Sequence, residues 1–267
     1  SGSKLWTTQG GGLVLEGSPS GPNHSRVVSF DRAGRDLPTT RYDDRFCVYN
    51  IPTDDEQGNG NNQVIGFAEL AGRVWIAESR GLLSDSPSYI SSFVPNPHQC
   101  ENLLNFDDPS ALGQQSLQYC SEGRTPEQDG CIEKTALTSY PEHVKVAHLR
   151  ADPELGLVWF NDACGKCIGS LDPFNGGEPR IYEINDKHDH DLDGMQGLGG
   201  FPWNLEVDNH AVYSGEYATR HILRLDKATG TYSEVRVPFD NPDVRLHSLA
   251  IDRLRQRLWF TLTNETS

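Results

Sequence analysis

The sequence predicts an all-β chain folded as a β-propeller. Three observations predict it: a strand-turn-strand pattern that recurs at blade-sized spacing, abundant glycine and proline without a period, and no apolar run long enough for a membrane-spanning helix. Residues 152–172 (DPELGLVWFNDACGKCIGSLD) overlay residues 208–226 (DNHAVYSGEYATRHILRLD), placing Trp159 on Tyr213, Asp162 on Glu216, Ile168 on Ile222 and Asp172 on Asp226. A further copy opens at Asp252 (DRLRQRLWFTLT), and a partial one at 70–79 (LAGRVWIAES) keeps Trp75 and Glu78. Trp159 and Tyr213 are 54 residues apart, Tyr213 and Trp259 46. Each unit reads as strand, tight turn, strand, with an acid just past an aromatic. Sheets this small cannot bury their faces alone and must stack on one another.

Taken in order, KLWTTQ and VVSFD (27–31) are repeat-like, and VVSFD matches IGSLD (168–172) and ILRLD (222–226). Glycines 10–12 and PSGPN (19–23) read as turns, FCVYNI as a strand between charged, glycine-rich stretches, and 63–79 as strand, turn, strand. Residues 80–140 are irregular and read as one degraded blade plus a disulfide-pinned insertion, with a short helix in SALGQQSLQYC capped by Asp108 or Ser110. The rhythm resumes with a strand near 143–150, the repeat 152–172 and EPRIYEI. An acidic, glycine-rich connection (186–201) follows, then PWNLEVD, the second repeat, TYSEVRVPFD and LHSLAID. The last of these runs into LWFTLT and stops. The expectation is a single propeller domain over 1–267, holding about five blades of a ring of roughly six or seven. The chain is then expected to be an incomplete ring, completed by further chain or by a second chain, since an unpaired strand exposes backbone groups.

The formal charge of −15 opposes unaided binding to nucleic acid or an anionic membrane, both of which require positive potential. Six cysteines (47, 100, 120, 131, 164, 167) and sequons at Asn23 and Asn264 point to a secreted, oxidised glycoprotein. Cys164 and Cys167 form a CxxC without a second one to complete a zinc site, so the expectation is a disulfide clasping that turn. The remaining pairings stay open.

The segments RLWFT, VWFND followed by CIGSLD, and LHSLAID before LWFT resemble the repeats of the streptogramin B lyase-like propellers, and more loosely the NHL and gluconolactonase-like propellers. The resemblance covers roughly 140–260. It implies either a divalent ion with histidine and glutamate near a central channel, opening a cyclic ester by elimination, or a metal-activated water opening a lactone. The family's histidine before the inner strand is matched by His247. Trp203 occupies that place one repeat earlier, and Ala147 the repeat before that, with His148 one residue along.

Elimination requires a base for the proton beside a carbonyl, an acid for the leaving oxygen and a positive centre for the enolate. His247 is the candidate base, because imidazole titrates near neutrality. Glu216 and His221, five apart across one turn, are the candidate acids. Trp203, Glu206 and His148 are candidate substrate contacts, and Glu206, on an otherwise apolar strand, calls for a charge partner or a metal. In KHDHDLDG, His188, His190 and Asp191 are candidate ligands for Ca2+ or Mg2+, although glycine this dense makes a coordination cage costly to order and favours a diffuse negative field. The predicted function is a secreted carbon–oxygen lyase acting by β-elimination on a uronic-acid-containing glycan or a cyclic ester. The alternatives are a metal-dependent lactone or ester hydrolase, and a non-catalytic glycan- or protein-binding propeller, favoured by the mismatches at Trp203 and Ala147.

Overall fold

The computed structural model describes residues 4–9, 26–31, 46–52, 63–79, 88–95, 117–136, 146–162, 167–175, 179–184, 202–216, 221–239, 241 and 244–264. They form five antiparallel sheets, each built from strands consecutive in the chain. Sheet I holds β1 (Lys4–Gln9), β2 (Arg26–Asp31) and β3 (Phe46–Asn50). Sheet II holds β4 (Gln63–Leu70), β5 (Arg73–Ser79), β6 (Tyr89–Phe93) and β7 (Glu133–Ala136), with the single-turn helix α1 (Pro126–Asp129) between its last two strands. Sheet III holds β8 (Val146–Asp152), β9 (Leu157–Asp162), β10 (Cys167–Leu171) and β11 (Arg180–Glu183). Sheet IV holds β12 (Pro202–Val207), β13 (Ala211–Glu216), β14 (His221–Asp226) and β15 (Tyr232–Arg236). Sheet V holds β16 (Val244–Asp252) and β17 (Arg257–Asn264).

The sheets stack face to face in chain order, and the core lies in the four gaps between them. Val27, Tyr49, Ile76 and Phe93 fill the gap between sheets I and II. Trp75, Ala77, Leu149 and Phe160 fill the next. Trp159, Ile168, Leu205 and Leu223 fill the third, and Ile222, Leu246 and Leu249 the fourth. The first strands of sheets II to V pack side by side in succession. Gly66 on β4 sits so close to β8 that a Cβ there would lie 2.7 Å from the Ala147 carbonyl oxygen, a contact neither backbone can yield.

The repeat read from the sequence begins at the turn after the first strand of a sheet, covers the second strand and, in its two full copies, runs on through the third. Trp75, Trp159, Tyr213 and Trp259 all fall on the second strand. Because successive side chains alternate in direction, that strand has two unlike faces. Val158 and Phe160 pack toward sheet II and Trp159 toward sheet IV, so Asp162 points with Phe160. Glu78 lies in the same phase as Val74 and Ile76, and Glu216 in the same phase as Val212. The turns share one device: Asp152, Asp208 and Asp252 each accept backbone N–H bonds on Oδ1, from Leu155, from His210 and Ala211, and from Arg255. Gly156 turns the first of these hairpins with φ 68°, whereas Gln256 holds the matching place in sheet V at φ 51° without a glycine's freedom.

Three expectations are corrected. Sheet II is a complete four-stranded sheet, not a degraded one, and its irregular sequence is the connection from β6 to β7. Leu117 to Cys120, the end of the expected helix, are not helical: Tyr119 bridges Ile132, and Cys120 is bonded to Cys131, clasping the chain around α1. The rest of that expected helix lies outside the described residues. Cys167 is a free, buried thiol, not half of a CxxC disulfide. It opens β10 directly opposite Asp162, with Sγ 3.9 Å from Oδ2, so its side chain is committed to the sheet interior; Cys164 lies outside the described residues.

Candidate functional site

The first strand of every sheet from II to V slips register against its second strand near the same end. The slips fall between Val64 and Gly66, Val146 and Leu149, Pro202 and Asn204, and Leu246 and Ser248. The residues skipped are Ile65, Ala147 with His148, Trp203, and His247. Bulges re-aim side chains and end local pairing, which is why they gather beside sites. The positions aligned from sequence, His148, Trp203 and His247, are therefore the bulge residues of three successive sheets. The backbone of Trp203 lies in β12, while its side chain is outside the described residues.

The same end carries the buried acids. Glu78 pairs in register with Val64, Asp162 with Val146 and Glu216 with Pro202, each immediately beside a bulge. Each carboxylate meets a different group. Glu78 accepts the Tyr119 hydroxyl at 2.7 Å, and burial raises its pKa. Asp162 meets Cys167, whose thiol is pushed up first by burial and then by the Asp162 and Glu183 carboxylates. Glu216 meets His221, with Nδ1 and Oε2 3.7 Å apart and the side chains only 3% and 12% exposed. The candidate acids lie together, as their spacing suggests.

His247 is exposed, its Nδ1 3.1 Å from the Ser248 hydroxyl. Its carbonyl accepts a bond from the Asn204 amide of the preceding first strand, fixing the bulge. Asn161 does the same one sheet earlier: its Oδ1 accepts the His148 N–H at 2.8 Å, and its Nδ2 donates to the Pro202 carbonyl at 2.7 Å. These two asparagines were missed from sequence. Asn161 stood in VWFND beside the acid that drew attention, but a side-chain amide bridging strands 41 residues apart has no local signature. Burial and the Arg150 guanidinium hold the His148 imidazole down at about 4, so it is neutral near pH 7. Glu206 finds a charge partner: Arg150 reaches it from β8, with Nη2 3.0 Å and Nε 3.2 Å from Oε1.

His188, His190 and Asp191 lie outside the described residues, as does the connection 186–201 that carries them. Among the described residues no three His, Cys, Asp or Glu side chains come together as cation ligands. Glu78, Asp162 and Glu216 stand one in each of sheets II to IV, each facing its own partner. A cavity of about 580 Å³ lies at the opposite end, between sheets IV and V, lined by Asp208, Tyr213, Arg224, Arg253, Arg257 and Leu258 among others. None of the sequence-predicted site residues lines it. No helix among the described residues is long and apolar enough to cross a membrane.

The sequence matches no known protein family and no curated protein. Similar folds occur among solved structures at low identity. A streptogramin B lyase structure is 14% identical with a TM-score of 0.44, covering 96% of this chain and 80% of that one. A virginiamycin B lyase from Staphylococcus aureus, solved with quinupristin, is 14% identical with a TM-score of 0.46, covering 96% and 82%. The periplasmic gluconolactonase of Pseudomonas aeruginosa is 9% identical with a TM-score of 0.53, covering 98% of this chain and 62% of that one. Together with the stacked sheets, this last likeness places the chain among β-propeller-like folds, at a distance that carries fold alone.

Proposed function

We propose that the chain is part of a propeller enzyme that breaks a carbon–oxygen bond by β-elimination in a cyclic ester or a uronic-acid-containing glycan. The observation that supports this reading is the Glu216–His221 pair, 3.7 Å apart and buried beside the Trp203 bulge, one sheet from the exposed imidazole of His247. His247 takes the proton next to the carbonyl, the electron pair moves to form the double bond, and the β carbon–oxygen bond breaks. His221, beside the Glu216 carboxylate, gives a proton to the leaving oxygen. The asparagine braces at 161 and 204 keep the bulges, and with them these side chains, in fixed places. The Cys120–Cys131 disulfide supports an oxidising, extracellular setting.

The test is incubation with a panel of cyclic esters and uronate glycans, read by ultraviolet absorbance for a new conjugated double bond. His247→Ala and Glu216→Gln should each abolish most of the signal while leaving the circular dichroism unchanged. Ring opening or chain cleavage without new unsaturation would mean hydrolysis and would overturn the elimination.

A further inference from the structure

The bulge that carries His247 is wedged against sheet IV. Leu246 and Leu249, on either side of it, both turn into the gap between sheets IV and V, which an unbroken strand could not do, since its side chains alternate. Both lie against Gly215, the residue before Glu216: a Cβ there would collide with Leu246 and touch Leu249 Cδ1 at 3.5 Å. The His247 carbonyl accepts a bond from the Asn204 amide, and Asn204 is fixed in turn by Ser214, fully buried, whose hydroxyl donates to the Asn204 carbonyl at 2.7 Å. The backbone of His247 is thereby set relative to the sheet that holds Glu216 and His221.

The ring is set by a different residue. Nδ1 lies 3.1 Å from the hydroxyl of Ser248, where β16 rejoins the ladder opposite Thr261. The same place is taken by Gly66 in sheet II, Leu149 in sheet III and Asn204 in sheet IV. Gly66 lies against the β8 backbone, Leu149 fills the core and Asn204 braces His247. His148, the other histidine at a bulge, is followed by Leu149, which offers its ring no hydroxyl. Among the described bulges, the one in sheet V alone sets a hydroxyl beside an imidazole.

A neutral imidazole carries one proton, and a hydroxyl either donates or accepts, so the contact decides which nitrogen can act. If Ser248 donates, the lone pair of Nδ1 is occupied, Nε2 carries the hydrogen, and the ring cannot take a proton from a substrate. If Nδ1–H donates, Nε2 presents its lone pair away from the strand. We propose that Ser248 is a positioning residue for the elimination: its Oγ accepts the Nδ1–H of His247 and leaves Nε2 as the base. The role of His247 rests on the function proposed above, whereas the tautomer is a property of the free protein. When Nε2 takes the proton beside the carbonyl, the Nδ1–H bond to Ser248 is kept, so the imidazolium forms without turning the ring.

Nitrogen NMR of the full chain with isotope-labelled histidine, above the imidazole titration range, reads the tautomer directly, the His247 signals being identified by their loss in His247→Gln. The parent should show Nδ1 protonated and Nε2 bare. Ser248→Ala should move the ring toward the Nε2–H form, and Ser248→Thr, which keeps the hydroxyl, should restore it. With a substrate that is eliminated, Ser248→Ala should lower kcat by about three- to tenfold at unchanged KM, the preference one hydrogen bond imposes, and Ser248→Thr should recover it. A parent His247 protonated at Nε2, a tautomer indifferent to Ser248→Ala, or an unchanged kcat would each overturn the proposal, the first of them without any variant of Ser248. No unsaturated product from any substrate, with the tautomer as stated, would overturn the elimination alone and leave the ring still set by Ser248.

Discussion

Lys227 crosses from sheet IV to sheet III and places Nζ 2.5 Å from Asp152 Oδ2, where the Trp159 indole N–H also points. The sheets are thus joined at the turn end by a buried charge as well as by apolar packing. Removing one partner leaves the other charge buried and unpaired, which costs far more than losing the pair as a unit. Lys227→Met should lower unfolding free energy by about 3–5 kcal/mol in urea titrations. The double variant Asp152→Asn with Lys227→Met should recover a large part of that loss. A single variant as stable as the parent would show that the pair contributes nothing to cohesion between the sheets.

His148 gives the stability a specific acid dependence. Its ordinary value of 6.5 falls to about 4 in the folded chain, through burial first and the charge of Arg150 second. Between those values the unfolded chain binds a proton that the folded chain refuses, so stability rises with pH. The contribution is fully present above about pH 6.5 and is lost as pH falls toward about 4, on the order of 3 kcal/mol across the window. The difference in unfolding free energy between the parent and His148→Gln, followed from pH 4 to pH 7, should slope over that interval and level off above it.

Cys167 should behave as an inert core thiol. Its proton is held by burial and by the adjacent carboxylates of Asp162 and Glu183, and the thiolate is the form that reacts. Iodoacetamide should leave Cys167 unmodified in the native protein and label it fully in denaturant, as read by peptide mapping. The same map, run without reductant, should contain the Cys120–Cys131 link and no Cys164–Cys167 link.

What the sequence disclosed was whatever repeats locally. The aromatic and the acid of each second strand, Trp159 with Asp162 and Tyr213 with Glu216, are separated by a fixed short spacing, so alignment by eye finds both the hairpin and its buried carboxylate. The pairing of Glu216 with His221 was equally visible, because one hairpin turn sets it. The fourth strand of sheet II was hidden. EKTA is short and polar, and it pairs with YISSF only after a connection that α1 and the Cys120–Cys131 clasp interrupt. Long-range partners were hidden for the same reason: Lys227 reaches Asp152 across 75 residues and Arg150 reaches Glu206 across 56. The CxxC misled because its spacing suits a turn disulfide, whereas the residue opposite Asp162 in a ladder must point into the sheet.

The two unlike faces of the second strand give the stack a direction. Each of sheets II to IV presents the acid of its second strand toward the sheet before it and the aromatic toward the sheet after it, so these gaps join a front to a back. Interfaces of that kind are heterologous: they propagate by repeated rotation in one sense and have no two-fold solution.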